Sequence, residues 1–515
     1  MTVQEPYWRD KISIPNFNPL NEDVKVDVVI VGGGLTGITT AYLLVKEGIK
    51  VALLEADHLL NGTTGHTTAK ITAQHNLIYD EFINHFGQSK ARLYYEANME
   101  AMQLIKDTID EHQISCDFSQ QDAYLYATTE QYTSKLKQEF TAYQKLNINA
   151  ELVDDIPFNI KVQGALKMEN QAQFHPLKYL TQLIKVITDG GGLIFEQTTA
   201  VNVKEDNHHT TVLTRNGHRV SGKHVIACSH FPFYEGTGFY STRMYAERSY
   251  VLACKTKKDY PGGMYLSVDQ PSRSLRSAMM NGEEIVLIGG ESHKSGQGKC
   301  TCEHYKALEA FGQDVLGIDQ AIYRWSTQDL ITLDRMPYIG PITSTQPNVL
   351  IATGFRKWGM TNGTAAARLL KDIVLENDNP YQSLYTPSRF YADPSLKRFF
   401  RENADVVKHL VKGKMEVSHK KLQDLANDQG AVVNLKGERK GAYRDNEGQL
   451  HIVDTTCTHV GCEVNWNAAE RTWDCPCHGS RFSYTGEVIE GPAEKPLQRG
   501  HHDMLDNITD KDSGY

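Results

Sequence analysis

The sequence predicts a large α/β domain followed by a small, separate all-β domain. Near the N-terminus an apolar strand runs into a glycine-rich turn and a helix, and the same order recurs some 320 residues later. Beyond residue 425 the chain changes to short strands divided by Gly and Asn turns.

Residues 1–24 read as an N-terminal strap. Residues 26–31 read as a buried parallel strand, 38–46 have helical spacing, and 51–55 read as a second strand, which completes one βαβ unit. Residues 88–113 read as a long helix. The stretch 117–160 alternates around a helix near 131–146, and 176–188 form a helix ended by glycines 190–192. Residues 225–228 read as a short buried strand, and 230–330 as strand-rich with one helix at 304–311. Residues 348–353 are a buried strand leading through glycines to a helix at 363–376. Residues 380–394 hold three prolines and several tyrosines, and 395–421 are charged and helical, so 381–424 reads as a linker, stiff in its first part. The all-β domain takes 425–515.

Apolar residues make up 40% and charged residues 23%, a globular composition that excludes the disordered and fibrous classes. The net charge of −9 is spread without a basic block, so nucleic acid is not an expected partner. No apolar run reaches the roughly 18 residues of a transmembrane segment. The N-terminus lacks the basic and apolar regions of a secretory signal, so a cytoplasmic location is expected. Four of the nine cysteines fall within 457–477, which points to a metal site rather than a disulfide scaffold.

Gly32, Gly34 and Gly37 fit G-x-G-x-x-G between a strand and a helix. Gly32 permits the tight turn, Gly34 lets backbone approach a pyrophosphate, and Gly37 lets helix and strand pack closely. Leu35 and Thr36 start the helix whose N-terminus favours phosphate charge. Glu55, 23 positions after Gly32, ends the second strand where an acid binds ribose hydroxyls. This is a Rossmann-like dinucleotide site. The fingerprint does not separate FAD from NAD, but the later junction does. It contains Asp334, Pro337, Gly340 and Pro341, then the strand 348–353, then Gly354, Arg356, Lys357, Gly359, Met360, Thr361 and Gly363.

With Trp325 and the loop Thr63-Thr64-Gly65-His66-Thr67-Thr68, these residues make 25–380 resemble the D-amino acid oxidase-like (glycine/sarcosine oxidase-like) FAD oxidoreductases. The resemblance implies an FAD-binding domain (about 25–100, 150–230 and 325–380) interleaved with an antiparallel α+β substrate domain (about 100–150 and 230–325). It also implies two-electron oxidation of a C–N bond in an amine or amino acid. Candidate FAD contacts are Gly32, Gly34, Leu35, Thr36, Gly37, Glu55, Thr63, Thr64, His66, Val201, Gly354, Arg356, Lys357, Gly359, Met360 and Thr361. A helix N-terminus at the flavin pyrimidine edge stabilises negative charge on reduced flavin, and Arg356 or Lys357 is expected to add to it. His66 aligns with the histidine that binds FAD covalently in dimethylglycine dehydrogenase-like relatives, although it also reads as a polar loop residue. The flavin-tethering cysteine of sarcosine oxidases has no counterpart in 326–334. A carboxylate-binding arginine is expected, with Arg248, Arg276 and Arg324 as candidates, each of which also reads as structural. Cys300 and Cys302 read as a neutral solvent-side pair, and Cys116, Cys228 and Cys254 as core thiols.

Cys457-x-His459 and Cys475-x-x-His478 each offer one thiolate and one imidazole, with fifteen residues between His459 and Cys475. Two cysteines can hold one iron and two histidines the other, which is the Rieske 2Fe–2S arrangement. Two Cys and two His could also bind zinc, but zinc calls for neither Cys-x-His nor the two further cysteines. Cys462 and Cys477 resemble the disulfide pair of cytochrome bc-type Rieske proteins, residues 491–496 resemble their proline loop, and Ser480 matches the serine that hydrogen-bonds a bridging sulfide. Phe482 stands where that family has tyrosine, which implies a lower potential than in tyrosine-bearing relatives.

The combination leaves three readings open. The chain is a flavin dehydrogenase draining electrons through the cluster to an unidentified acceptor, a redox-sensing or binding protein, or a reductase in which an outside donor feeds the flavin through the cluster.

Overall fold

Val28–Val31 is apolar at every position and buried throughout, as a strand covered on both faces must be. The computed structural model describes residues 2–206, 209–415, 420–435 and 437–500. Residues 501–515 of the expected all-β domain lie outside that range. The chain divides into two units: Met1–Met244, Arg248–Ser292 and His304–Arg398 form the first, and Tyr245–Glu247, His293–Glu303 and the part from Phe399 onward form the second.

In the first unit Val28–Val31 sits inside a six-stranded sheet, ordered Tyr338–Thr343, Gln346–Thr353, His224–Ala227, Val28–Val31, Val51–Leu54, Leu193–Phe195. The last five strands are parallel and the first is antiparallel. Both glycine junctions therefore open at the same sheet edge, with only His224–Ala227 between their strands. That edge, at the carboxyl ends of parallel strands, is where open α/β sheets bind ligands. The helices that follow, Leu35–Lys46 and Gly359–Val374, pack on one another.

Most of a nine-stranded sheet, and a four-stranded sheet of Val24–Lys25, Arg219–Gly222, Thr210–Thr214 and Ala200–Glu205, also lie in the first unit, and it is the nine-stranded sheet that bears on the substrate part. It departs from the expected division of the chain. Glu151–Val153 and Gly164–Gln173, expected in the FAD part, pair antiparallel as part of this sheet, and Ile318–Thr332 forms its edge. The reason is pairing: Gly164–Gln173 returns across helix Glu130–Lys145 to zip along Ser119–Ala127. The antiparallel expectation also has an exception, since Met264–Ser267 runs parallel to Ser119–Ala127.

Residues 380–394 are not an extended spacer. Tyr381, Leu384 and Tyr385 are buried around the short helix Gln382–Tyr385, and Arg389 forms a buried ion pair with Asp334 at 2.7 Å. Aromatic and guanidinium burial outweighs the proline content. The charged helix follows as Ala392–Met415.

In the second unit three antiparallel strands, Gln429–Leu435, Glu438–Arg444 and Leu450–Asp454, accompany a four-stranded antiparallel sheet running from Asn465–Asn467 to Val488–Glu490. Their core includes Trp473, Phe482, Val464 and the four cysteines. Among the described residues no helix is long and apolar enough to cross a membrane.

Candidate functional site

At the first junction Gly32 takes φ +115°, and a Cβ there would lie 2.5 Å from Cys228 O. Gly34 starts the helix, and the only atom within 4 Å of a Cβ placed on it is Thr64 Oγ1, so its other flank is open for a ligand. Thr64 Oγ1 accepts the Leu35 N–H at 3.0 Å, and Thr36 is buried behind it. The Glu55 carboxylate accepts from Gly33 N at 2.7 Å and Asp57 N at 2.9 Å. Burial pushes the Glu55 carboxyl up, against the pull of those N–H donors. Val201 lies three residues past Thr198, whose N–H donates to Glu55 O at 2.8 Å.

At the second junction Gly354 (φ +76°) and Arg356 (φ +56°) turn the chain into helix Gly359–Val374, with Met360 and Thr361 buried in its first turn. Arg356 Nη2 donates to His75 O at 2.9 Å. Lys357 Nζ donates to Ser249 Oγ and pairs with Asp329 at 3.4 Å. His75 stacks on Trp358 with ring centroids 4.8 Å apart, and its ring meets Tyr94, Thr72 and Thr361. Burial, helped by Arg356, drops the His75 pKa to about 3, so the ring is neutral.

The three arginine candidates separate. Arg276 is buried, donates to Thr68 O, Ala69 O and Ser277 O, and lies over the Trp8 ring, so its guanidinium is committed to structure. Arg324 lies over Tyr305. Arg248 is buried with side-chain partners instead, Ser326 Oγ at 2.8 Å and Gln328 Oε1 at 3.3 Å, on the residue before Ser249. Thr63 Oγ1 donates to Gln328 O at 3.3 Å, which joins the 63–68 loop to this cluster. Sequence reasoning missed Ser249, Ser326, Gln328, Asp329 and His75. The available signal was the period-2 spacing of Arg324, Ser326 and Gln328 in a strand otherwise rich in apolar residues.

His66 is held within its own loop, with Nδ1 2.9 Å from Gly62 O and its carbonyl accepting from Trp325 Nε1 at 2.8 Å. Cys116, Cys228 and Cys254 are buried free thiols, pushed up to about 12 by burial. Cys300 is exposed and Cys302 half-buried.

The metal end is built from two matching loops. In the first, Cys457 N donates to Cys462 O at 2.7 Å and Gly461 N returns to Cys457 O at 3.0 Å. In the second, Cys475 N donates to Ser480 O at 2.8 Å and Gly479 N returns to Cys475 O at 3.1 Å. A disulfide between Cys462 and Cys477 joins them. Cys475 Sγ also lies within 4.8 Å of both disulfide sulfurs, but their bond removes them as thiolate ligands. The His459 and His478 rings stand 5.0 Å apart.

The neighbouring Cys475 thiol holds the Cys457 thiol below its ordinary value, against the burial that would raise it. Burial, with His459 beside it, lowers His478 to about 4, so its imidazole is neutral and competent to ligate. His478 Nδ1 is buried with no hydrogen-bond partner, an orphan that a metal bond would satisfy. Ser480 Oγ accepts from Ala493 N at 3.0 Å, and Thr458 Oγ1 donates to Lys495 O at 2.6 Å, so the 491–496 loop is tied to both cluster loops. Phe482 is fully buried opposite Trp473. These residues fit a two-thiolate, two-imidazole cluster.

Fold and site together define an oxidoreductase with a dinucleotide domain and an iron–sulfur domain. The DAO family, FAD dependent oxidoreductase, matches residues 27–373, and the chain belongs to it. The Rieske [2Fe-2S] domain family matches residues 415–501, so the cofactors are FAD and one Rieske cluster. YhfW of Bacillus subtilis (strain 168), named as a Rieske 2Fe-2S iron–sulfur protein, is 53% identical over 96% of this chain and 97% of its own. Gamma-glutamylputrescine oxidoreductase of Escherichia coli (strain K12) is 24% identical over 70% of this chain and 85% of its own. The solved glycine oxidase of Geobacillus kaustophilus shares the fold at TM-score 0.61 and 16% identity, covering 71% of this chain and 99% of its own.

Proposed function

We propose that the protein is a flavin dehydrogenase that oxidises a C–N bond of an amine or amino acid and releases the electrons through its cluster to a one-electron acceptor. FAD supplies two-electron chemistry and the Rieske centre one-electron transfer. The observation that carries the reading is the joining of those two modules in one chain. Relatives named for putrescine-derived and glycine substrates support the C–N class.

On this reading Gly32, Gly34, Leu35, Thr36 and Gly37 would cradle the pyrophosphate, Glu55 would hold the ribose, and Val201 would contact the adenosine half. Arg356 or Lys357, with the Gly359 helix N-terminus, would supply positive charge to the pyrimidine edge of the flavin. Cys457 and Cys475 would hold one iron, and His459 and His478 the other. The test is anaerobic addition of amines and amino acids, followed by flavin absorbance and cluster EPR. Bleaching followed by cluster reduction within turnover time is expected. A cluster that stays oxidised beside reduced flavin defeats the relay.

Arg248 is the group we assign to the substrate carboxylate. Arg248→Lys keeps the charge and loses the planar fork. A hydrogen bond to a charged group contributes about 1.5–3 kcal/mol, so KM should rise about 10–100-fold with FAD content unchanged. An unaltered KM assigns the carboxylate elsewhere. For His66, acid precipitation should leave the yellow colour in the supernatant, since its ring is engaged by its own loop. Colour retained in the pellet would establish a covalent tether.

A further inference from the structure

We propose that Lys70 is the base that takes a proton from the substrate ammonium, while Gln173 Oε1 accepts an N–H that the nitrogen keeps. The proposal rests on the C–N oxidation proposed above.

Lys70–Ile71 is a two-residue strand that leaves the 63–68 loop and pairs antiparallel with Gly164–Gln173. Lys70 stands midway between two segments assigned to the flavin site. On one side, Thr68 packs beside Tyr250, since a Cβ on Gly289 would lie 3.9 Å from Thr68 Cγ2 and 3.7 Å from Tyr250 O. Tyr250 directly follows Arg248 and Ser249. On the other side, Thr72 O accepts from Thr361 Oγ1 at 3.1 Å. Two residues of strand span about 7 Å, so both segments are within reach of a lysine side chain.

Register places Lys70 directly opposite Gln173, on the same face of the sheet. The two side chains nevertheless do not bond each other. Lys70 Nζ has no hydrogen-bond or ion-pair partner among the described residues. Gln173 is 5% exposed, and its Oε1 is buried without a donor. An amide oxygen left so is costly, and a substrate N–H supplies the donor. The charged group acting on Lys70 is Arg276, held beside the strand by Thr68 O at 2.6 Å and Ala69 O at 2.8 Å. Tyr7 and Tyr260 face Arg276, and burial keeps both protonated. His175, two residues past Gln173, is lowered to about 4 by burial and is neutral. Asp117, which acts on Tyr7 and His175, pairs with Lys178 at 2.7 Å. Burial, with Arg276 beside it, lowers the Lys70 ammonium to about 7. Near neutral pH the amine is therefore free to accept a proton.

In the step, one substrate N–H bond breaks and one Lys70 N–H bond forms, which turns the lysine amine into an ammonium. The electron pair left on nitrogen becomes the second C–N bond as the α-hydrogen leaves with two electrons for FAD. Lys70 is half-buried, so its proton passes on to water.

The test has two arms, both on the full-length holoprotein. In the first, acetic anhydride labelling of wild type is followed against pH by mass spectrometry of the peptide that contains Lys70. Reactivity should rise through an inflection near 7. An inflection at the ordinary lysine value overturns the proposal. The second arm is anaerobic flavin bleaching by the amines and amino acids named above. Lys70→Met should slow bleaching about 100-fold at neutral pH, and its pH profile should move up to the ionisation of the substrate ammonium. Lys70→Arg keeps the charge but cannot give up its proton, so it should be equally slow. Wild-type rates in either variant overturn the proposal. Should the methionine variant lose FAD, Lys70→Gln carries the same expectation. Failure of every amine and amino acid to bleach the wild type would instead defeat the C–N reading itself.

Discussion

Replacing Cys475 by serine is expected to remove the cluster and leave FAD in place. Cys475 is buried, and its loop is closed by hydrogen bonds at both ends, so the site cannot recruit a substitute ligand by local rearrangement. Apart from Cys457, itself a ligand on this reading, the sulfurs beside Cys475 are bonded to each other. A serine oxygen is a hard, weakly acidic donor, poorly matched to sulfide-bridged iron. Iron and acid-labile sulfide should fall to background, and the Rieske EPR signal should vanish. The flavin-to-protein ratio should stay at wild type, because every proposed FAD contact lies in the other unit. Substrate should still bleach the flavin, while reduction of a one-electron acceptor should collapse. A variant that reduces the acceptor at the wild-type rate would show that electrons leave by another route, and the relay would be wrong.

The parts of the fold legible in the sequence are those whose chemistry is local. A strand, a glycine turn with φ beyond ordinary residues and a helix leave a contiguous trace, as Gly32 to Gly37 and Gly354 to Gly363 do. Cys-x-His and Cys-x-x-His leave another, because each half of the metal site is one turn of backbone. What was not legible depends on partners distant in the chain. Residues 380–394 carry the composition of a spacer, yet Arg389 finds Asp334, 55 positions away, and the tyrosines find a core. The large sheet takes Gly164–Gln173 because Ser119–Ala127 offers a matching edge, a pairing that composition does not encode. The 293–303 segment belongs to a stretch expected to be strand-rich, with Cys300 and Cys302 as a solvent-side pair, yet Gly296 and Gln297 meet the Cys475–Pro476 backbone, a contact that no spacing rule anticipates. The same holds for Arg248, singled out from Arg276 only by what each guanidinium touches.

Gly37→Val is expected to give the reciprocal result, protein that carries its cluster and no FAD. Gly37 lies in the first turn of helix Leu35–Lys46, where a Cβ would stand 2.0 Å from Gly32 O and 3.4 Å from Ile30 Cγ2. The obstacle is a backbone carbonyl in the turn itself, so no side-chain rotation relieves it. The helix must lift from strand Val28–Val31, an overpacking that costs about 1–3 kcal/mol where a core can yield. The first unit has an extensive core and should still fold. The displacement falls where it does most harm to binding, because Leu35 N, Thr64 Oγ1 and the open flank of Gly34 all sit at the N-terminus of that helix. A pyrophosphate held by helix N–H groups needs them aimed together, and a shifted first turn breaks that aim. Absorbance should show flavin at a small fraction of wild type, while EPR shows the cluster unchanged, and Gly37→Ala should be intermediate. Full flavin occupancy in the valine variant would mean that the pyrophosphate is held elsewhere, and the assignment of the first junction would have to be given up.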